Sequence, residues 1–295
     1  MSSAKKNDVA PGPFSSSVIE LAGGCLGGGE RLFLIAGPCV VESREVMFRT
    51  AEAMAKMADG LGVPLVFKAS YMKANRSSTE SPRGPGLEEG LKLLAETGRE
   101  FSLPLCTDIH ESSHAQVVAE VVDILQIPAF LSRQTELIEA ASATGRVVNI
   151  KKGQFMSAPQ ACQAADKAAG AGGGGVMLTE RGTFFGYGDL VVDFRSLRSM
   201  RFSKCPLVLD ATHCVQQPGG AGAISGGSRE NIPLLASAAV AAGVDGLFIE
   251  VHPDPPGSLS DPHTSLSIEQ ALELIPQLVE LGDYVRQNVR PSGIE

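Results

Sequence analysis

The sequence predicts an α/β protein whose strands and helices close into one (β/α)8 barrel. Eight short apolar runs rich in β-branched residues recur along the chain, and segments of helical periodicity lie between most of them. Runs that are nearly continuous in apolar residues are typical of parallel strands buried on both faces. Eight strands alternating with helices over about 260 residues is the number that closes a barrel. A doubly wound open sheet is the alternative, but it usually has fewer strands.

The predicted strands are bounded by Gly, Pro or polar residues, as strands joined by loops should be. They are Arg31–Gly37, Pro64–Ala69, Pro104–Ile109, Ile124–Ala129, Val147–Lys151, Val176–Arg181, Pro206–Thr212 and Gly246–His252. The clearest predicted helices are Glu45–Ala58, Leu87–Phe101, Gln134–Ala143, Pro159–Ala169, Arg229–Ala242 and Ile268–Val289. Ser43 lies just before the first helix and can cap it.

The N-terminal region is predicted to lie outside the barrel. Residues 1–16 are typical of a flexible tail, and residues 17–295 form the barrel domain, opened by a hairpin over Ser17–Gly29 beneath the barrel floor. Lys5 and Lys6 are followed by no apolar segment, so we expect no secretory signal. No apolar run reaches the roughly 18 residues that a membrane span needs.

The composition limits the partners and the compartment. The chain has 25 Lys+Arg and 33 Asp+Glu, a formal net charge of −8. Proteins that bind nucleic acids or anionic membranes need a basic face for the phosphates, so this balance argues against both. Six widely spaced cysteines without a CxxC pair are typical of a reduced, cytoplasmic protein rather than of a disulfide framework.

Polar and charged residues follow every predicted strand, at the end where barrel active sites form. The cations among them are Lys68, Lys73, Arg76, Arg133, Lys151 and Arg181. Cations that converge on one mouth of an acidic protein need anions, and two phosphates with a carboxylate fit them. We therefore expect phosphorylated small molecules as ligands.

Four further residues near the strand ends have side chains that bind metals: Cys39, His213, Glu250 and Asp261. Thiolate, imidazole and two carboxylates can hold one divalent ion, although each residue alone also fits a structural role. The neighbouring cations are expected to lower the pKa of the Cys39 thiol. Two loops of about 13 residues, 216–228 and 253–265, follow the last two strands and are either lids over the mouth or ordinary surface loops.

Nine segments, in the same order and spacing, resemble the 3-deoxy-D-manno-octulosonate 8-phosphate synthase family. They include IAGPCVVES at 35–43, FKASYMKANRSS at 67–78, NIKKGQF at 149–155 and DATHCVQQPGG at 210–220. The resemblance runs from about residue 31 to residue 289, and KANRSS is its most diagnostic part. It implies an aldol-like condensation of phosphoenolpyruvate, D-arabinose 5-phosphate and water, which gives the eight-carbon sugar acid phosphate and inorganic phosphate for lipopolysaccharide synthesis. It also implies a cytosolic homotetramer.

The resemblance assigns residues by position. The phosphoenolpyruvate pocket is matched by Lys68, Ser70, Lys73, Gln126, Ala129, Lys151 and Arg181. The pentose phosphate pocket is matched by Asn75, Arg76 and Ser77, with Arg133 from an adjacent subunit, and Asp108 and Gln154 line the same cavity. The expected catalytic residues are Lys68, Lys73, Asp108 and His213.

The family has two branches, one of which binds a divalent metal through Cys, His, Glu and Asp, while the other has Asn at the Cys position. Cys39, with His213, Glu250 and Asp261, is similar to the metal-dependent branch, for which Zn, Fe(II), Mn, Co and Cd are candidate ions. Three alternatives stay open. They are the related shikimate-pathway synthase, against which Asn75-Arg76-Ser77 argues, a metal-dependent class II aldolase, which releases no inorganic phosphate, and a non-catalytic phosphosugar-binding barrel.

Overall fold

The computed structural model describes Gly12 and residues 14–76, 80–184, 188–221 and 224–289. Its strands in chain order are β1 Val18–Leu21, β2 Gly24–Gly27, β3 Phe33–Gly37, β4 Leu65–Lys68, β5 Leu105–Asp108, β6 Ile124–Ile127, β7 Val147–Lys151, β8 Val176–Glu180, β9 Thr183–Phe184, β10 Leu190–Val191, β11 Leu207–Asp210, β12 Gln216–Ala221, β13 Ile224–Gly227, β14 Gly246–His252 and β15 Leu266–Ser267. Within these residues, the eight strands β3 to β8, β11 and β14 pair in parallel, and β14 pairs again with β3. The barrel is therefore closed, and the predicted fold class is confirmed.

Helices cover the outside of the barrel. They are α1 Arg44–Leu61, α2 Leu87–Phe101, α3 Ala115–Ala119, α4 Thr135–Ser142, α5 Ala158–Gly170, α6 Phe194–Met200, α7 Ile232–Ala241 and α8 Ile268–Asn288. Six of them lie where helices are predicted, and α1 is capped as expected, because the hydroxyl of Ser43 accepts a hydrogen bond from the Val46 N–H at 3.2 Å. Helices α3 and α6 were not predicted, because they have five and seven residues and are too short to show a helical period.

Two apolar layers hold the fold together. The larger one lies between the strands and the helices. The smaller one fills the lower barrel interior with side chains such as Phe33, Val66 and Met177, and the predicted N-terminal hairpin, β1 with β2, inserts Ile19 and Leu26 into it. The hairpin therefore closes the N-terminal floor of the barrel and leaves the opposite end open.

Of the predicted tail, residues 1–11 and 13 lie outside the described residues. Its described end contacts the barrel floor, where the Ser16 hydroxyl donates to Asp245 Oδ1 at 3.0 Å.

The segment 216–228 differs from its prediction as a loop. Strands β12 and β13 pair antiparallel and form a hairpin beside the open end of the barrel. The Gly and Pro residues that suggested a loop in the sequence stand inside a hairpin with an irregular register. Among the described helices, none combines the length and the apolar character that crossing a membrane requires.

Candidate active site

A cavity of about 480 Å³ opens at the C-terminal end of the barrel strands. Its walls come from the segments that follow β4, β5, β6, β7, β8, β11 and β14. Predicted site residues on these walls are Lys68, Lys73, Asn75, Arg76, Asp108, Ala129, Lys151, Gln154, Arg181, His213 and Asp261. The mouth of the barrel thus brings most of the predicted set together.

Asp108, at the end of β5, is the centre of a buried hydrogen-bond network. Lys68 Nζ lies 3.3 Å from its carboxylate, and the Ser70 hydroxyl donates to the same oxygen. Gln126 donates to the other oxygen at 2.6 Å. Burial opposes the charge of Asp108, but Lys68, Lys73 and Lys151 outweigh it and hold its pKa well below the usual range. Asp108 is therefore a fixed anion under the cavity.

The network continues around the barrel wall. Gln126 accepts from Asn149 at 2.9 Å, and Asn149 accepts from the Thr179 hydroxyl at 2.7 Å. Each donor points toward Asp108, so one chain of bonds from β8 to β5 stabilises its negative charge. Asn149 and Thr179 were missed in the sequence, where the only available signal was a polar residue inside an apolar strand.

Lys151 and His213 share a second buried carboxylate. Asp210 Oδ2 lies 2.5 Å from Lys151 Nζ and 2.8 Å from His213 Nδ1. Although burial opposes it, these two partners lower the pKa of Asp210. The bond to Nδ1 orients the imidazole so that Nε2 lies 3.5 Å from Glu250 and 3.9 Å from Asp261. A carboxylate that holds the other nitrogen of a histidine is a common support for a metal ligand.

The four predicted metal ligands form one cluster. The ligand atoms of Cys39, His213, Glu250 and Asp261 all lie within 4.8 Å of one another. Glu250 is fully buried, yet within the described part of the chain neither of its carboxylate oxygens has a hydrogen-bond partner. Lys68 Nζ, at 3.7 Å, is a cation near it but not a hydrogen-bond donor to it. A buried carboxylate without donors, beside a thiol and an imidazole, fits a divalent cation.

The prediction that the pKa of the Cys39 thiol is lowered is wrong when only the protein's own groups act on it. Burial raises the pKa of Cys39 well above the ordinary value, and the charges of Glu250 and Asp261 raise it further, against the opposing effect of Lys73 and Lys68. The thiol lies 3.0 Å from both Asp261 Oδ2 and Ser260 Oγ. The thiolate that binds a metal must therefore be formed through the ion itself.

The close approach of two strands positions Cys39. At Gly37 the backbone has a φ of +155°, and a Cβ atom there would lie 2.2 Å from the Lys68 carbonyl oxygen. Only glycine permits this contact between β3 and β4. It places the Cys39 carbonyl 3.3 Å from Lys68 Nζ and links the metal cluster to the Asp108 network.

Arg181 and Arg76 connect the cavity to the loop that carries Asp261. Arg181 Nη2 donates to Gln216 at 2.5 Å, and Gln216 donates to Asp261 at 2.6 Å. Arg76 donates at 3.0 Å to the Ser260 hydroxyl and to the Leu259 carbonyl. Arg181 has a buried guanidinium nitrogen without a partner in the described residues, which leaves a donor free for an anion.

Five predicted site residues that the structure describes do not line the cavity wall: Cys39 and Glu250, which are buried in the four-ligand cluster, and Ser70, Gln126 and Arg133. Ser70 and Gln126 are buried beneath it in the Asp108 network. Arg133 is exposed and does not line the cavity of this single chain. Ser77 lies outside the described residues. The cavity also contains residues that were not predicted as site residues, among them His110, Phe130, Phe184 and Ser260.

Several known proteins resemble the chain over most of its length. The model of the DAHP synthetase I family matches residues 15–287. The chain is 50% identical over 272 residues to the 2-dehydro-3-deoxyphosphooctonate aldolase of Methylococcus capsulatus, which covers 92% of this chain and 96% of that protein. It is 51% identical over 268 residues to the protein of the same name from Alkalilimnicola ehrlichii, covering 91% and 97% of the two chains. The protein of this name from Syntrophotalea carbinolica is 49% identical over 270 residues, with coverage of 92% and 98%.

Proposed function

Because the chain belongs to the DAHP synthetase I family, we propose that it condenses phosphoenolpyruvate with D-arabinose 5-phosphate and water. The products are 3-deoxy-D-manno-octulosonate 8-phosphate, a precursor for lipopolysaccharide, and inorganic phosphate. The relatives of about 50% identity carry the name of this enzyme. One observation carries the proposal: a single cavity brings Lys68, Lys73, Lys151 and Arg181 beside a four-ligand cluster.

The reaction joins carbon 3 of the enol to the aldehyde carbon and adds water to carbon 2. The hydroxyl proton at carbon 2 and the phosphate then leave, giving a ketone and inorganic phosphate. Holding two substrates in one cavity turns their encounter into a local event, which is worth up to about 7–11 kcal/mol. Fixed cations stabilise the phosphate and the charge that develops near it.

We assign the phosphoenolpyruvate end of the cavity to Lys68, Lys73, Lys151 and Arg181, with Ser70, Gln126 and Ala129 around them. Although burial opposes it, the surrounding acidic groups raise the pKa of Lys73, so this lysine stays charged. Asp108 and Gln154 are proposed to complete the polar wall. Asn75, Arg76 and Ser77 are proposed to bind the pentose phosphate. Arg76 supports this role because its guanidinium borders the cavity beside Ser260.

Cys39, His213, Glu250 and Asp261 are proposed to hold a divalent cation, with Zn, Fe(II), Mn, Co and Cd as candidates. The donors fit such an ion because the buried Glu250 carboxylate lacks a hydrogen-bond partner in the described chain. A bound ion would act as a Lewis acid near the aldehyde or order the site. Asp210 would hold His213 in the orientation for ligation.

We also propose that the enzyme is a cytoplasmic homotetramer in which Arg133 reaches the pentose phosphate of a neighbouring subunit. Phe130 and Phe155 are each 50% exposed and Phe184 is 46% exposed, and all three follow successive strands at the mouth. Exposed aromatic side chains grouped in this way are typical of a protein contact. Arg133 lies in the same segment as Phe130 and is exposed with it. The six free cysteines fit a reducing compartment.

The test is phosphate release by the metal-loaded protein with phosphoenolpyruvate and each of two aldoses. Arabinose 5-phosphate should support turnover, and erythrose 4-phosphate should support much less. Preference for erythrose 4-phosphate would identify the shikimate-pathway reaction instead, and condensation without phosphate release would identify a simple aldolase. For the shared site, Arg133→Ala subunits mixed with Lys151→Ala subunits should regain activity that neither has alone.

A further inference from the structure

Tyr71 lies between two histidines just below the cavity. Its hydroxyl is 3.1 Å from Nδ1 of His114 and 3.3 Å from Nδ1 of His110. Both imidazoles meet the phenol ring edge to face, with centroid distances of 6.1 Å and 5.5 Å. The Tyr71 side chain is fully buried. The three groups therefore form a continuous hydrogen-bonded row.

The number of protons in this row couples the two histidines. A phenol has one proton, so it can donate to only one of the two Nδ1 atoms, and the other Nδ1 must donate to the phenol oxygen. If Tyr71 donates to His114, His110 carries its proton on Nδ1 and Nε2 has a free lone pair. If His114 donates to Tyr71, Tyr71 donates to His110 and the His110 proton stands on Nε2. The proton state of one histidine therefore sets the tautomer of the other.

The two ends of the row have different surroundings. His110 lines the cavity and faces Asp108, Lys73 and Lys68. Burial lowers its pKa, and the two lysines lower it further against the opposing effect of Asp108, so the imidazole is neutral. His114 is 22% exposed, and its Nε2 lies 3.9 Å from the exposed carboxylate of Glu111. Burial raises the pKa of Tyr71, so it remains a phenol. The row thus joins the cavity to solvent.

We propose that Tyr71 and His114 connect His110 to solvent as a proton relay for the condensation. His110 is the catalytic residue of this relay because its Nε2 is the ring nitrogen left for a molecule in the cavity. Tyr71 and His114 are positioning residues that act through it. The proposal rests on the proposed function, because it uses the protons of that reaction.

The protons that the relay donates and accepts balance over one turnover. When carbon 3 attacks the aldehyde, the new alkoxide takes the proton from His110 Nε2. The Tyr71 proton then moves to His110 Nδ1, the His114 Nδ1 proton moves to Tyr71, and His114 takes a proton from solvent at Nε2. When water adds to carbon 2, it gives a proton to His110 Nε2 and each shift runs in reverse, releasing a proton from His114 to solvent. The three side chains end where they began.

The kinetic test compares Tyr71→Phe and His114→Gln with the wild type in single-turnover phosphate release. Tyr71→Phe keeps the ring and removes only the hydroxyl. Both variants should lose about 100-fold in rate, the lower range for general acid–base catalysis, with KM for both substrates within about two-fold. The solvent deuterium isotope effect should increase in both, and the double variant should be no slower than either single one. Tyr284→Phe, an exposed tyrosine on α8, is the matched control and should match the wild type.

A second measurement needs no turnover. With ¹⁵N-labelled histidine, the wild type should show the paired tautomers from which the relay starts, with the His110 proton on Nε2 and the His114 proton on Nδ1, and Tyr71→Phe should abolish this pairing. ¹⁵N shifts of His110 that are the same in the wild type and in Tyr71→Phe would overturn the relay, as would wild-type rates and isotope effects in both variants. A wild type that releases no phosphate would refute the proposed function instead, and the NMR comparison would still test the coupling.

Discussion

Both ends of the barrel bury charged side chains, but they satisfy them differently. At the floor, Arg201 lies 2.5 Å from Asp245, and Asp245 also accepts hydrogen bonds from the Leu207 N–H and the Ser16 hydroxyl. At the mouth, the buried carboxylate of Glu250 has no donor among the described residues, and Arg181 has a nitrogen without a partner there. The difference separates charges that stabilise the fold from charges arranged for a ligand.

This contrast has an energetic side. A buried polar group without a partner costs about 1–3 kcal/mol, and more when it is charged. The Arg201–Asp245 pair at the floor avoids that cost through its own hydrogen bonds, while Glu250 and Arg181 at the mouth would retain it until a cation and anionic substrates bind. We therefore expect changes at the mouth to act on binding and turnover, and changes at the floor to act on folding.

The largest expected effect is removal of the ion from the mouth. Chelation should reduce phosphate release to background, because Cys39, His213, Glu250 and Asp261 then lack their cation, and Zn, Mn, Fe(II), Co or Cd should restore part of it. Circular dichroism should stay unchanged, since the floor and both apolar layers are intact. Full turnover by a protein shown to be metal-free by elemental analysis would contradict the metal proposal.

Two variants of Cys39 test the metal proposal at a single ligand. Cys39→Ser removes the soft ligand, so the protein should bind the ion more weakly and remain dependent on it. Cys39→Asn supplies amide hydrogen bonds in place of the ion and should keep measurable turnover that resists chelation. Phosphate release and metal content, each measured with and without chelator, check both variants. A folded Cys39→Asn protein without activity in either condition would refute the exchange of amide for metal, and wild-type metal content in Cys39→Ala would show that Cys39 is not a ligand.

At the floor, Arg201→Leu should act on stability alone. It leaves Asp245 buried without its cation, which typically costs about 3–5 kcal/mol of the free energy of unfolding. Urea unfolding measures this loss, and kcat per folded molecule should stay within about two-fold of the wild type. The matched control is Arg195→Leu, since Arg195 forms an exposed, solvent-screened pair with Asp193 and its loss should change stability little. A fall in kcat without a loss of stability would erase the distinction between the two ends.

A smaller effect is expected for a single phosphate contact at the mouth. Arg76→Ala should weaken arabinose 5-phosphate binding by roughly 10- to 150-fold, the equivalent of about 1.5–3 kcal/mol for a charge-assisted hydrogen bond. Phosphoenolpyruvate binding should change little, and Arg99→Ala, an exposed arginine on α2, should change neither. Calorimetric titration of each substrate checks this. Equal losses for both substrates would mean that Arg76 supports the whole mouth through Leu259 and Ser260 rather than one phosphate.

The sequence predicted the barrel and the strand-end residues well for a physical reason. Buried parallel strands appear as apolar runs, and barrel geometry brings the residues after them to one end, as it does for Cys39 and Glu250. In a strand buried on both faces, however, alternation does not show which side chains point inward, so the bonds of Asn149 and Thr179 could not be predicted. The short helices α3 and α6 were missed because they contain too few turns.

The contact between Glu42 and the loop after β14 was beyond prediction as well, because it joins residues more than 200 positions apart. Glu42 Oε1 accepts hydrogen bonds from the Leu259 N–H at 3.0 Å and the Ser258 hydroxyl at 3.2 Å. Its other oxygen lies 3.4 Å from His252 Nε2. Glu42 is therefore a charge at the mouth that has hydrogen-bond partners in the loop that carries Asp261. It tests whether the role of a buried charge depends on having such partners or on its position in the barrel.

Glu42→Gln should have the smallest effect, and its pH dependence has a definite sign. Burial opposes the charge of Glu42, but the neighbouring His252 and the hydrogen bonds from the Leu259 N–H and the Ser258 hydroxyl outweigh it and lower its pKa from 4.5. A carboxyl with a lowered pKa in the folded state adds stability above pH 4.5, and this stability is lost as the pH falls through the folded-state value. At pH 7 the variant should be less stable by about 0.5–1.5 kcal/mol, and the difference should vanish in acid. Urea unfolding in chelator measures it without a contribution from ion binding, and Glu45→Gln, at an exposed residue on α1, is the control. If the difference in stability persists unchanged in acid, the Glu42 charge does not stabilise the loop. The charges at the mouth would then contribute to stability only when ligands are bound.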